Sequence, residues 1–118
     1  MREPPAIESF GGGGFRVSGV WRPGSLLIVQ DIARDWRPAT FADLQPADFA
    51  EALTAPAGAV EFVLLGTGHA QALPPRAIRE ALRAAGLGLE FMASDAAARL
   101  HNVLASQGRL FTTALIAV

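Results

Sequence analysis

Cysteine, lysine and tyrosine are all missing from these 118 residues. Without cysteine there is no disulfide, no thiolate nucleophile and no Cys-ligated metal. Without lysine there is no Schiff-base nucleophile and no P-loop lysine, and without tyrosine no phenolic acid or base. An excess of charge of one sign is lacking too. Ten basic residues, every one an arginine, face eleven acidic ones for a net charge of −1, which argues against a nucleic-acid binder. No apolar run approaches the roughly 20 residues of a membrane-spanning helix. The most apolar tract, Leu110 to Val118, is already broken by Thr112 and Thr113. Met1-Arg2-Glu3-Pro4-Pro5 leads into no hydrophobic region, so the expectation is no signal peptide and a cytoplasmic place.

What is present suffices for a core. Hydrophobic residues make up 51% and charged residues 18%, a composition that folds rather than staying disordered. The length suits one domain over 1–118, with 1–5 as a flexible N-terminus.

From Ala6 to Gln30, short apolar runs alternate with turn residues. Ala6–Phe10 meets the Gly11–Gly14 run, Phe15–Val20 follows, and Pro23-Gly24 separates it from Ser25–Gln30. Glycine reaches positive φ at no steric cost, so these clusters mark tight reversals and the segment reads as a β-meander. Asp31–Thr40 reads as an exposed edge strand or loop anchored by Trp36.

After it the period changes. Pro46 suits the first turn of a short helix with Phe49 and Leu53 on one face. Val60–Leu65 is a continuous strand-like run that ends in Gly66-Thr67-Gly68. Pro74-Pro75 opens a helix with a stripe of Ala77, Ile78, Ala81, Leu82 and Ala85, and Gly86 closes it. Leu87–Met92 then completes a βαβ unit, for which a right-handed crossover is expected. In the next helix Ser94 is the expected N-cap and Asp95 complements the dipole. Ala96, Ala97, Leu100, Val103 and Leu104 fall on one face, and Asp95, Arg99, Asn102 and Ser106 on another. Gly108 ends that helix, and Arg109–Val118 supplies a last strand, central because both its faces are apolar. The pattern is that of an α/β domain.

Gly66-Thr67-Gly68-His69 follows a buried strand, where open α/β sheets place their ligand sites. Glu90 stands where a dinucleotide fold keeps its ribose-binding acid. The match breaks because Gln71 replaces a third glycine and the next helix opens only near Pro75, so a phosphate on these glycines would miss the helix N-terminus. A structural turn is the leading reading. The two histidines, His69 and His101, have no second ligand at metal spacing, so no metal site is expected. Ser94, Asp95 and His101 have the residue types of a hydrolytic triad, but seven helical residues separate Ser94 from His101 by about 10 Å. Asp95 and Arg99 form an i,i+4 ion pair if exposed. If that face packs on the Gly66–His69 loop, Arg99 and Asn102 brace it or hold an anion, and bracing is the expectation.

Three stretches carry a family resemblance: Gly13-Gly14-Phe15-Arg16-Val17-Ser18-Gly19, Phe62-Val63-Leu64-Leu65-Gly66-Thr67-Gly68, and Met92-Ala93-Ser94-Asp95-Ala96-Ala97-Ala98-Arg99-Leu100-His101-Asn102-Val103-Leu104 followed by Gly108-Arg109. In this order they resemble the family that includes mitochondrial respiratory complex I assembly factor 3, an animal adipogenesis-associated protein and many bacterial and archaeal proteins. The resemblance runs from about residue 6 to residue 117. It implies a single three-layer domain, with a central mixed β-sheet, flanking helices and an added N-terminal β element. It also implies a non-enzymatic role in assembling respiratory complex I, with its subunits or assembly factors as partners, a place peripheral to the inner membrane, and no cofactor. Gly66, Thr67, Gly68, Arg99, Asn102 and Arg109 match the motif and carry over as a candidate ligand- or anion-binding site. Ser94 stands where threonine is usual, Leu100 for threonine, His101 for an aromatic and Gln107 for glutamate. Those departures trouble a catalytic constellation more than an interaction surface.

Two functional expectations follow. An assembly or interaction protein predicts exposed apolar residues around Trp21 and Trp36. A small-molecule or anion-binding domain, an enzyme included, predicts a pocket between the Gly66–His69 loop and the Arg99/Asn102 face. The first is the favoured one.

Overall fold

Two short reversals organise the first third of the chain in the computed structural model, which describes residues 2–118. Ser18 and Gly19 take φ of 47° and 82°, and Gln30 and Asp31 take 48° and 66°. Two successive positive-φ residues suit the twist of a hairpin, so each pair closes one. The run Phe15–Val20 is therefore two strands and not the single one expected. Strands β1 (Ile7–Gly11), β2 (Gly14–Val17) and β3 (Val20–Pro23) form an antiparallel sheet of three.

The other five strands form the central sheet. They are β4 (Ser25–Val29), β5 (Ile32–Trp36), β6 (Phe62–Gly66), β7 (Gly88–Met92) and β8 (Phe111–Leu115), in the order β5-β4-β8-β6-β7. β4 runs antiparallel to β5 and β8, whereas β6 is parallel to β7 and β8, so the sheet is mixed. The expected meander thus divides: its last strand, β4, leaves for the central sheet. β5 is an edge strand and β8 is central, as the pattern implied.

Helices cover both faces. A 3-10 turn at Pro46–Phe49 runs into α1 (Ala50–Leu53), and α2 (Arg76–Ala84) links β6 to β7. On their side the core joins Leu27, Val29, Trp36, Phe49, Val63, Leu65, Ile78 and Leu82. α3 (Ser94–Ser106) lies on the opposite side with the three-stranded sheet, around Ile7, Phe15, Val17, Leu26, Leu64, Ala97, Ala98 and Leu115. Three layers result.

Trp36 is buried rather than presented at the surface. It meets Phe49 edge-on with ring centroids 5.6 Å apart and donates its indole N–H to the Asp48 carbonyl at 2.9 Å. The neighbouring Arg37 forks onto the Asp48 carboxylate, at 2.7 Å for both contacts, and clamps the 3-10 turn to β5. Within segment 1–5, Arg2 meets the Asp31 carboxylate at 3.0 and 2.9 Å, and His101 donates to the Pro5 carbonyl at 2.8 Å. Met1 lies outside the described residues.

α3 corrects the sequence reading most. Its N-cap is Ala93, and Ser94 is the first helical residue, fully buried. The buried face carries Ser94, Ala97, Ala98 and His101, whereas Ala96 and Val103 are exposed. At about 100° per residue the apolar stripe read from the sequence lies roughly a quarter turn from the buried face. Small residues let the helix lie close to the sheet, and its buried polar groups find backbone partners there, so hydropathy alone misplaces the face.

Candidate functional site

The glycine loop sits at the C-terminal end of β6, against the first turn of α3. A Cβ at Gly66 would lie 2.8 Å from both Cα and Oγ of Ser94 and 2.8 Å from the Leu115 side chain. Glycine is required here because the helix itself makes the close approach. Ser94 Oγ accepts the Gly68 N–H at 2.9 Å and donates to the Ile116 carbonyl at 2.7 Å. One hydroxyl thus stitches the loop to β8. Thr67 is buried, and its hydroxyl lies 2.7 Å from the Ala70 carbonyl and accepts the Ala72 N–H at 3.2 Å. The loop packs against the N-terminus of α3 and not that of α2, the helix that follows it in the chain, so the arrangement is not that of a dinucleotide fold.

The brace expected from Arg99 is therefore supplied by Ser94. Arg99 has a side chain 67% exposed, 3.7 Å from Asp95, and its guanidinium lies 5.1 Å from the Phe10 ring centroid. Such an exposed pair contributes little. Asn102 is used differently again. Its side-chain oxygen accepts the Ile7 N–H at 2.9 Å and its amide donates to the Ile7 carbonyl at 2.8 Å. The carboxamide takes the place of a neighbouring strand on β1 and docks the N-terminal sheet onto α3.

His101 completes this polar layer. Nε2 faces the Pro5 carbonyl at 2.8 Å, which can only accept, so Nε2 carries the proton and Nδ1 accepts the Thr113 hydroxyl at 2.7 Å. Burial pushes its pKa below the ordinary 6.5, partly offset by the bond to Pro5, and the ring is neutral near pH 7. It also meets Phe111 edge-on at 5.5 Å. Ser94 and His101 have separate partners and form no relay with Asp95. Among the described residues no three His, Asp or Glu side chains converge as a metal set.

Arg109 stands apart from the others. Phe111 pairs with Phe62 and Leu115 with Gly66, so Arg109, which precedes β8, lies at the opposite end of the parallel strands from the glycine loop. Its guanidinium lies 5.1 Å from the Phe62 ring centroid. The six candidate residues hence fall in separate places: Gly66, Thr67 and Gly68 in one loop, Asn102 on β1, Arg99 on the outside of α3, and Arg109 at the far end.

Two cavities border these places. One, of about 290 Å³, lies between Phe10, Gly11, Gly12, Gly68, His69 and Asp95. The other, of about 280 Å³, lies between Phe62, Glu90, Leu100, Leu104 and Arg109. Sequence reasoning missed the Ser94 stitch and the neutral His101. A signal was there: Ser94 and His101 stand seven residues apart, on one helix face with Ala97 and Ala98 between them.

The model of the family described as "Protein of unknown function (DUF498/DUF598)" matches residues 7–116, and this chain belongs to that family. An uncharacterised protein of Rhodobacter capsulatus is 38% identical over 110 residues, 93% of this chain and 82% of that protein. The crystal structure of an outer membrane protein from Bartonella henselae superposes with a TM-score of 0.88 at 28% identity, covering 98% of this chain and 96% of that one. A solution structure from Bordetella pertussis, an Mth938-like domain, superposes with a TM-score of 0.79 at 25% identity over 98% and 90% of the two chains. The resemblance read from the three motifs holds at the level of this domain family and its fold.

Proposed function

We propose that this DUF498/DUF598 domain is a non-enzymatic assembly or interaction protein that docks a protein partner along β3. Respiratory complex I subunits or assembly factors are the partner class implied by the sequence resemblance. One observation carries the reading: Val20 is 58% and Trp21 42% exposed on the last strand of the N-terminal sheet. The other outer strand, β1, is already occupied at Ile7 by Asn102, so β3 is the edge left for pairing. A partly exposed tryptophan beside an unpaired edge supplies an anchor and a strand template together. The likeness to an outer membrane protein fits a place at the periphery of a membrane. No helix among the described residues is long and apolar enough to cross one.

The test is affinity capture of the tagged protein and of Trp21→Ser from its own cells, with mass spectrometry of what co-purifies. The reading expects complex I subunits or assembly factors with the parent and at least about tenfold less with Trp21→Ser, at unchanged melting temperature. Equal recovery, or no such partner, contradicts it.

A second reading, small-molecule binding, rests on the 290 Å³ cavity at the C-terminal end of the parallel strands. Of the six candidate residues only Gly68 borders it, with the exposed His69 and the half-buried Asp95 at its rim. A ligand panel followed by the His69 ring resonances tests it, and resonances unmoved by every compound count against it.

A further inference from the structure

We infer that the outer stripe of α3, together with the cleft beside it, is the two-fold interface of a homodimer. Ala96 and Val103 point away from the core, Val103 with 50% of its surface exposed, and Leu100 and Leu104, which pack partly against the core, border them. These four residues make a continuous apolar strip along about two turns of α3. A strip of that width normally faces a core. Here the core is centred on the Ser94/Ala97/Ala98/His101 face, Leu100 and Leu104 reach only its edge, and Ala96 and Val103 are left over. The strip continues into the 280 Å³ cleft floored by Phe62, beside β7, the last strand of the central sheet.

The charges at this cleft say what covers it. Glu90 and Arg109 line it together, both exposed, and neither makes an ion pair among the described residues. The Arg109 guanidinium lies over Phe62 instead of on a carboxylate. A surface meant for an acidic or a basic foreign segment would carry one sign. One acid and one base flanking an apolar strip are self-complementary under a two-fold axis, where Glu90 of each copy meets Arg109 of the other. The occupant is therefore a second copy of this chain. This surface is separate from β3, and the inference stands independently of the partner proposed there.

Sedimentation equilibrium of the intact protein over a wide concentration range tests it. The parent is expected to reach twice the chain mass, and Val103→Asp, at an exposed position, to weaken association at least about tenfold with unchanged circular dichroism. Glu90→Arg and Arg109→Glu should each weaken the dimer, and the double exchange should recover most of the loss. A monomer at every concentration, a dimer indifferent to Val103→Asp, or a double exchange no better than the single ones would each overturn the inference.

Discussion

On one face of the central sheet α1 and α2 pack through Trp36, Phe49, Ile78 and Leu82; on the other α3 packs through Ser94, Ala97, Ala98 and His101. The first face is held mainly by apolar contact, which is non-directional and tolerates small shifts, with directional bonds only where Trp36 and Arg37 meet Asp48. The second is held by side chains that bond named backbone groups: Ser94 on Gly68 and Ile116, His101 on Pro5, Asn102 on Ile7. Directional bonds fix the register of the N-terminal sheet on α3. They also leave Ala96 and Val103 of the helix facing outward. The contrast explains how a fold with an ordinary core retains an apolar helix surface.

The comparison breaks most visibly at the apolar face. Trp36→Ala should cost about 3–5 kcal/mol, because it leaves a cavity beside Phe49 and removes the bond to Asp48. Urea denaturation reads this as a lower midpoint at an unchanged slope. On the polar face Asn102→Leu should cost about 1–3 kcal/mol, since the Ile7 N–H and C=O are left without their partner. A loss as large as that of Trp36→Ala would mean that the distinction between the faces is misdrawn.

Acid separates the two faces by pH. His101 has a folded pKa lowered by burial from the ordinary 6.5, so the unfolded chain takes up its proton first. Its contribution is complete above 6.5 and is lost as pH falls below that value. Asp48, on the other face, is held below 3.8, chiefly by the Arg37 guanidinium. Its contribution is complete above 3.8 and is lost only as pH falls further. Urea midpoints measured against pH should therefore decline first through the α3 side. In His101→Phe the decline as pH falls below 6.5 should be reduced, and an unaltered slope would contradict the neutral assignment.

The smallest effect belongs to Thr112, a buried residue whose hydroxyl has no hydrogen-bond partner among the described residues. Thr112→Val keeps the shape and removes the unpaired group, for a gain of up to about 1 kcal/mol in chemical denaturation. A clear loss would mean that the hydroxyl has a partner.

The sequence was readable where period and chemistry agree. The β6–α2–β7 unit, the central β8 and the edge position of β5 all follow from apolar runs bounded by glycine and proline. Ser18-Gly19 was a turn signal hidden inside a run that otherwise reads as one strand. α3 was found as a helix but turned about its axis, because its buried side is chosen by hydrogen bonds to residues as far away as Ile7 and Ile116. Local hydropathy contains none of that. The candidate site was legible as a set of residue types and not as a place. Arg109 and Gly66 share one motif family yet lie at opposite ends of the same strands.

Hydrogen exchange at the Ile7 amide tests the account most directly. This N–H is bonded to the Asn102 side chain across 95 positions of sequence, so its protection reports whether α3 holds the N-terminal sheet. The account predicts that Asn102→Ala speeds exchange at Ile7 by about tenfold or more while amides of β6 and β8 change far less. Unchanged protection at Ile7 would contradict it.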